Sequence, residues 1–326
     1  MDSSLRTIGV LTSGGDAPGM NACIRAVVRS ALNKGLRVMG IRKGYVGLLR
    51  GDVMEMHASS VADIIHRGGT VLYTARCPEF FQVEYQDRAA EMCRIFGIDG
   101  LVVIGGDGSF RGAQKLSQRG ISVVGVPGTI DRDIACSEYT IGFDSAVNIV
   151  VDSIARLRDT SASHERCSVV EVMGRNCGEL ALWSGIATGA DAIMIPEDEE
   201  SQGFDHLVRV IMENRARGKS HNIVIVAEGV GNAQELSKKI HDATGVESRC
   251  TILGHIQRGG SPTALDIKHA SMMGYLAVEA LYSGETNRLI CVQNGKYVNI
   301  DIDEGLAMKR EPSLDIWKAN LQISTY

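Results

Sequence analysis

Two aspartates placed just beyond apolar runs are the residues best suited to chemistry. Asp107 lies in Leu101-Val-Val-Ile-Gly-Gly-Asp-Gly-Ser109, where four apolar residues, three of them β-branched, stop at a pair of glycines. That order predicts a strand, a tight turn and a helix over roughly Phe110–Gln118. The N-terminus of such a helix points bare N–H groups at an anion. A carboxylate there would repel a phosphate unless a cation stood between them, so Asp107 reads as a handle for Mg²⁺ carried by a nucleotide. The plain alternative is an ordinary strand-to-helix turn. Asp131 and Asp133 lie two residues apart in Val126-Pro-Gly-Thr-Ile-Asp-Arg-Asp133. On an extended path they face the same way, so one can take a proton from a substrate hydroxyl while the other orients it or the metal. Taken alone, that segment also reads as two solvated loop aspartates.

Three further turns carry glycine and charge together. In Leu11-Thr-Ser-Gly-Gly-Asp-Ala-Pro-Gly-Met-Asn21, Gly14 and Gly15 let a phosphate approach the backbone, and Asp16 and Pro18 suit a helix start. The Gly-Lys-Ser/Thr of a P-loop is missing, which excludes a Walker ATPase. Val172-Met-Gly-Arg-Asn-Cys-Gly178 presents Arg175 from a turn flanked by glycine, where a guanidinium suits a transferring phosphoryl group. Gly254-His-Ile-Gln-Arg-Gly-Gly-Ser-Pro262 offers His255 and Arg258 to the same kind of anion. Arg76, Arg166 and Arg249 also follow strand or helix ends.

The elements that position these turns alternate. Strands are expected at Thr7–Leu11, Leu36–Ile41, Thr70–Tyr73, Leu101–Ile104, Ser122–Val126, Ser168–Val172, Asn222–Ala227 and Cys250–Leu253. Helices are expected at Met20–Asn33 and Phe143–Arg158, the latter with apolar residues spaced four and three apart. This predicts an α/β protein of two doubly wound domains, with mainly parallel sheets covered by helices and ligands outside the strands' carboxyl ends. The 326 residues suffice for two domains, and 44% hydrophobic with 22% charged residues is ordinary for a globular protein. A net charge of −5 gives no general attraction to nucleic acid or an anionic membrane. The eight cysteines show neither a Cys-x-x-Cys pair nor metal-ligand spacing, and read as reduced thiols packed in a cytoplasmic fold. No apolar run approaches a membrane span. The acidic run Glu197–Glu200 reads as a solvated loop.

The ordered set GGDAPGMNA, RGGT with TAR, VVIGGDGS, PGTIDRD, YTIGFD, LRDT, Ser161-Ala-Ser-His-Glu-Arg166, VMGRNCG, AEG and LGHIQRGGSP resembles the bacterial-type ATP-dependent 6-phosphofructokinases over nearly the whole chain. The resemblance implies transfer of the ATP γ-phosphoryl group to the 1-hydroxyl of fructose 6-phosphate. It implies a cytoplasmic homotetramer with an active site in the interdomain cleft. The ATP domain would be residues 1–142 plus 257–307, and the fructose 6-phosphate domain 143–256 plus 308–326. By position, Gly15, Arg76, Cys77 and Gly106 to Ser109 (Gly106, Asp107, Gly108, Ser109) would hold ATP, with Asp107 on Mg²⁺. Asp131 would be the base, and Thr129, Arg76 and Arg175 would assist. Thr129, Ile130, Asp133, Met173, Gly174, Arg175, Glu228, His255, Ile256, Gln257 and Arg258 would line the sugar-phosphate site, joined by Arg166 and Arg249 from a neighbouring subunit. An effector site for ADP or phosphoenolpyruvate would use Arg25, Arg29, Arg158, Gly189, Ala190, Asp191, Arg217, Lys219, Ser220 and His221, with Asp191 facing the metal.

Within that family Gly108 and Gly128 distinguish ATP users from pyrophosphate users, which carry Asp and Lys there. A pyrophosphate-dependent enzyme is the first alternative. The second is a non-catalytic regulatory paralogue that binds sugar phosphate or nucleotide. It is raised by Arg132, which replaces an Asn beside Asp131, and opposed by the joint presence of Asp107, Asp131 and Arg175. Arg132 is expected to point away from Asp131. Cys77 and Phe81 replace the residues that usually flank the adenine, and Ala58 and Ser59 depart from the effector-site pattern.

Overall fold

A computed structural model of the chain describes residues 5–324. It contains two compact units, Met1–Asp144 with Arg258–Arg310, and Ser145–Gln257 with Glu311–Tyr326. The first begins with β1 (Thr7–Ser13), α1 (Met20–Asn33), β2 (Arg37–Ile41), α2 (Gly44–Arg50) and β3 (Val53–Glu55). It continues through α3 (Val83–Ile95), β4 (Gly100–Gly105), α4 (Asp107–Ser117) and β5 (Ser122–Pro127). Helix α5 (Phe143–His164) leads into the second unit, which holds β6 (Cys167–Val172), α6 (Glu179–Thr188), β7 (Ala192–Met194) and α7 (Phe204–Ala216). There follow β8 (Asn222–Ala227), α8 (Ala233–Thr244) and β9 (Ser248–Ile252). The chain returns to the first unit with α9 (Ala264–Tyr282), β10 (Arg288–Gln293), β11 (Lys296–Asp301) and α10 (Ile302–Ala307), and ends in the second with α11 (Leu314–Ser324).

In the first unit the strand order is β11-β10-β5-β4-β1-β2-β3. The five inner strands run parallel, and β3 and β11 pair antiparallel at the edges. Leu101 to Ile104 are buried, as a strand covered on both faces requires, which is why β4 reads as an unbroken apolar run. Helix α1 lays Ile24, Val27, Val28 and Ala31 into the core at helical spacing. Each such buried Ile or Val contributes about 1.5–3 kcal/mol. The direction of strand succession reverses between β1 and β4, whose ends pair Ser13 with Gly105. A crevice outside the carboxyl ends of two such strands is where doubly wound folds bind ligands.

The second unit has a wholly parallel sheet in the order β7-β8-β6-β9, with its reversal between β6 and β9. Val169, Val224 and Val226 pack there against Leu207, Ile211 and Ile240.

Four expectations change. Thr70–Tyr73 is a turn and not a strand, because its backbone is held from outside any sheet. Asn21 receives the Val71 N–H, Thr12 donates to the Tyr73 carbonyl, and Lys43 N donates to the Leu72 carbonyl. Helix α4 starts at Asp107, three residues before the expected Phe110, so Asp107 belongs to its first turn. Helix α5 runs on to His164. The run Glu197–Glu200 is not merely solvated, since Glu197 accepts the Gly178 N–H at 2.8 Å at the start of α6. Strands β3, β7, β10 and β11 were not expected; all are short or at an edge except β10. All eight cysteines are free and six are buried. No helix among the described residues is long and apolar enough to cross a membrane.

Candidate active site

In the first unit the turns after β1 and β4 meet through Ser109, whose hydroxyl donates to the Ser13 carbonyl at 3.0 Å. Tyr45 donates to the Ser109 carbonyl at 2.6 Å from the other side. Gly106 caps α4 in an extended conformation and leaves the first-turn N–H groups of Asp107 and Gly108 pointing outward. A Cβ on Gly108 would meet no protein atom within 4 Å, and its backbone is ordinary helix. The bareness of that position therefore has no cause in protein packing, and a cradle for a phosphate supplies one. Asp107 beside it is about half buried. Burial pushes its carboxyl above the usual range, and the Arg111 guanidinium pulls it partly back. Among the described residues there is no group of three or more His, Cys, Asp or Glu that could hold a metal alone. One carboxylate at an anion-binding helix end fits a cation that brings phosphate oxygens with it, as Mg²⁺ does. Thr74 donates to the Gly14 carbonyl at 2.8 Å, which ties the exposed segment carrying Arg76 and Cys77 to the β1 turn. Cys77 is half-buried, Phe81 is 85% exposed, and burial pushes the Cys77 thiol up.

The loop after β5 brings Asp131 into the same unit. Gly128 N donates to the Gly105 carbonyl at 2.9 Å and Ile141 N to the Pro127 carbonyl at 2.9 Å, so the loop leaves and re-enters beside the end of β4. Asp131 is 2% exposed, and its N–H donates to the Thr129 hydroxyl at 3.1 Å. The Arg258 guanidinium stands 3.7 Å from its carboxylate and donates to the Asp16 carbonyl at 2.9 Å. A Cβ on Gly15 would lie 2.6 Å from that same guanidinium, so Gly15 is the space Arg258 occupies. Gly15, Asp16, Asp131 and Arg258 are thus one cluster. Arg132 takes a positive φ of 53°. Its Nε donates to the Glu138 carbonyl at 2.9 Å, and its guanidinium lies 5.1 Å from the Phe143 ring centroid. Asp133 and Ile130 lie on the same loop, Ile130 fully buried.

In the second unit the carboxyl ends of β6, β8 and β9 carry Met173 to Arg175, Glu228 and Gly254 to Gln257. Arg175 adopts a left-handed φ of 54°, an uncommon conformation for a non-glycine residue, and its N–H donates to Glu228 at 2.6 Å. A Cβ on Gly229 would lie 2.4 Å from the Arg175 carbonyl, so the two turns are pressed together. Fully buried Gln257 accepts the Met173 N–H at 3.2 Å and donates to the Gly254 carbonyl at 2.9 Å, leaving His255 and Ile256 exposed. These turns gather a guanidinium, an imidazole and a carboxylate in a rim at the carboxyl ends of the three strands, with Arg175 on a left-handed backbone.

The phosphofructokinase family model matches residues 7–281. A Clostridium botulinum protein described as ATP-dependent 6-phosphofructokinase is 60% identical over 306 residues, which are 94% of this chain and 95% of that one. The chain belongs to the phosphofructokinase family. Phosphofructokinase from Saccharomyces cerevisiae superposes with a TM-score of 0.89 at 33% identity over 98% of this chain. The Pichia pastoris phosphofructokinase in the T-state gives 0.92 at 34% over 99%. This chain spans 50% and 40% of the lengths of those two.

Two groups of residues that the family resemblance singles out stand apart from the rims described above. Arg166 and Arg249 lie at the amino ends of β6 and β9, where both grip Glu247, at 3.0 Å and 2.6 Å. The two guanidiniums hold the Glu247 carboxyl below its usual range. Met173 and Arg175 lie at the other end of the six-residue strand β6, roughly 20 Å away at strand rise. The effector candidates also divide. Arg25 and Arg29 lie on α1, while Arg158, Gly189, Ala190, Asp191, Arg217, Lys219, Ser220 and His221 belong to the second unit. Arg158 donates to the Thr188 carbonyl at the end of α6. Burial, then Arg158 and Lys219, push His221 below its ordinary value. Asp191, expected to face a metal at the effector site, is 4% exposed. Its carboxylate is enclosed, taken by Asn214 at 2.7 Å, by the Ile223 N–H at 2.8 Å and by Lys219. Sequence reasoning also passes over Asp266, a fully buried acceptor in the first turn of α9 with no local motif to betray it.

Proposed function

We propose that the protein is an ATP-dependent 6-phosphofructokinase that moves the γ-phosphoryl group of ATP to the 1-hydroxyl of fructose 6-phosphate. The observation that carries this reading is the pairing, within one unit, of two groups. One is a bare helix N-terminus bearing Asp107. The other is an enclosed carboxylate, Asp131, on a loop clamped to the adjacent strand end. Phosphoryl transfer asks for positioning and charge placement more than covalent help. The first-turn N–H groups of α4, with Gly15 and Arg76, would hold the triphosphate. Asp107 would hold Mg²⁺, which when bound neutralises charge on the phosphate oxygens. Asp131 would accept the hydroxyl proton, with Thr129 fixing its backbone and Arg258 fixing its carboxylate against Asp16. Arg175, Glu228 and His255 suit the sugar phosphate, with Arg175 placed to stabilise charge on the moving group.

The separation of Arg166 and Arg249 from that rim supports a homo-oligomer in which these two guanidiniums serve the sugar-phosphate site of another copy. Gly108 supports ATP over pyrophosphate as donor. Regulation by ADP or phosphoenolpyruvate rests on the cations Arg158 and Lys219, and a fructose 6-phosphate saturation curve that phosphoenolpyruvate leaves unchanged would sink it.

The deciding experiment is ADP release with and without fructose 6-phosphate. Release is expected only with the sugar, and Asp131→Asn is expected to lower kcat by roughly 10²–10⁴-fold with KM for ATP little changed. No sugar-dependent ADP release from the parent would end the proposal.

A further inference from the structure

We propose that Asp266 is a positioning residue for the reaction: it fixes the loop that carries Asp131, and ties it to the β1 and Arg258 turns. This rests on the phosphofructokinase reading above. Asp266 lies in the first turn of α9, is fully buried, and forms no part of the charged rim itself. Its Oδ1 accepts the Tyr139 hydroxyl at 2.5 Å and the Gly142 N–H at 2.7 Å. Both donors belong to the re-entrant end of the loop that begins at Gly128. Burial, followed by the Asp266 charge, pushes the Tyr139 hydroxyl far up, so it stays a donor at every working pH.

The turn after β1 and the Asp131 loop meet beside this carboxylate, and the chain from Arg258 enters α9 at the Asp266 backbone. Gly142 has φ of 104°, and a Cβ there would lie 2.5 Å from Ala17 Cβ and 3.3 Å from Ile130 Cγ2. Gly142 is therefore pressed between the turn after β1 and the neighbour of Asp131. Gly19, at the start of α1, would place a Cβ 2.7 Å from Ile141 and 3.6 Å from the Asp266 Cβ. On the third side, Thr263 caps α9 by accepting the Asp266 N–H at 3.3 Å and donates to Asp144 at 2.5 Å, and Arg258 lies five residues before it. The far side of the loop is pinned elsewhere: Glu138 N donates to the Val292 carbonyl and Val292 N to the Ser137 hydroxyl, on β10. The re-entrant end has Asp266 as its charged anchor, and there Gly142 presses against Ile130 beside Asp131. Tyr139 also stacks on His269, ring centroids 4.0 Å apart, so the ring keeps its place when the hydroxyl is removed. An anchor of this kind acts through preorganisation: displacement of a base by about 1 Å can cost roughly 10²-fold in rate.

The test uses the full chain and the variants Asp266→Ala, Asp266→Asn and Tyr139→Phe. Amide exchange of the ligand-free protein reads anchoring without reference to turnover. Asp266→Ala is expected to speed exchange across residues 128–142 by about tenfold or more, with α8 as the unchanged internal reference. With the parent active, the same variant is expected to lower kcat by roughly 30-fold or more while KM for ATP moves less than about threefold. Asp266→Asn keeps an oxygen for the Gly142 N–H and is expected to recover kcat to within roughly fivefold of the parent. If the alanine variant does not fold, Tyr139→Phe decides, with kcat expected to fall about 3- to 10-fold and exchange to rise over the same residues. Unchanged exchange over 128–142 in a folded variant, or parental kcat per folded molecule, overturns the proposal. A parent that never releases ADP instead defeats the phosphofructokinase reading, and exchange alone then decides whether Asp266 anchors the loop.

Discussion

Replacing Gly108 by alanine separates what the protein needs at that position from what a ligand needs. The added methyl meets no protein atom within 4 Å, and the backbone there is already helical, so no strain follows. Alanine in place of glycine in a helix is favourable by up to about 1 kcal/mol, less in a first turn. For a unit of this size that raises Tm by about 2–4 °C at most. The ligand side has the opposite sign. A methyl group standing where phosphate oxygens approach the first-turn N–H groups costs roughly 1–3 kcal/mol in overpacking, which is about 5- to 150-fold in KM for ATP. Gly128→Ala is the control: its Cβ would lie 3.1 Å from Ile104 and 3.2 Å from Met20, so it should lower Tm. Differential scanning calorimetry with steady-state kinetics on the two variants reads both signs. A Gly108→Ala protein that is stabilised yet keeps the parental KM for ATP would show that no phosphate sits over that turn. The same contacts imply that Lys at position 128, the pyrophosphate-type residue, cannot enter without displacing Ile104 or Met20.

Because burial raises the Asp107 carboxyl and Arg111 opposes it, protons compete with Mg²⁺ as pH falls toward that raised value. The free Mg²⁺ needed for half-maximal rate should therefore begin to rise at a higher pH than an ordinary carboxylate would give, and Arg111→Ala should move that rise higher still; a profile that Arg111→Ala leaves unmoved, after correcting for ATP protonation, would refute it. Arg132→Asn relieves a left-handed residue of about 1 kcal/mol but forfeits a hydrogen bond of similar size, so Tm should hold within about 3 °C and kcat within about threefold. A rise in kcat of about 100-fold would mean that the guanidinium handicaps Asp131 after all. Mixed oligomers of Asp131→Asn and Arg249→Ala chains should regain up to roughly a quarter of parental activity, since some sites then combine an intact base with an intact neighbouring arginine; no recovery on mixing refutes the shared site.

The turns that carry the candidate chemistry were legible because each is a local pattern: an apolar run, a glycine that frees the backbone, a charged residue, a helix. Asp107, Asp131, Arg175 and Arg258 could be picked from such patterns without knowing what lies beside them. What stayed hidden depends on residues far apart in sequence. Thr70–Tyr73 has the composition of a strand, yet Asn21 and Thr12 claim its backbone from outside any sheet. Asp266 sits three residues after Thr263, the spacing of an ordinary helix cap, and nothing local reveals that its oxygen serves Tyr139 and Gly142. Asp191 was legible as a carboxylate among cations, but not as one already enclosed by Asn214 and Lys219.

The pairing of β5 with β10 bears on how the polypeptide leaves the ribosome. About 160 residues separate these neighbours, and most of the second unit, β6 through β9, is made between them. At 5–20 residues per second the first sheet must wait on the order of 10–30 s with the rim of β5 uncovered. An uncovered parallel rim is a template for another nascent chain. Slow translation through the insert should thus raise the aggregated fraction, and a holding chaperone should act during that interval.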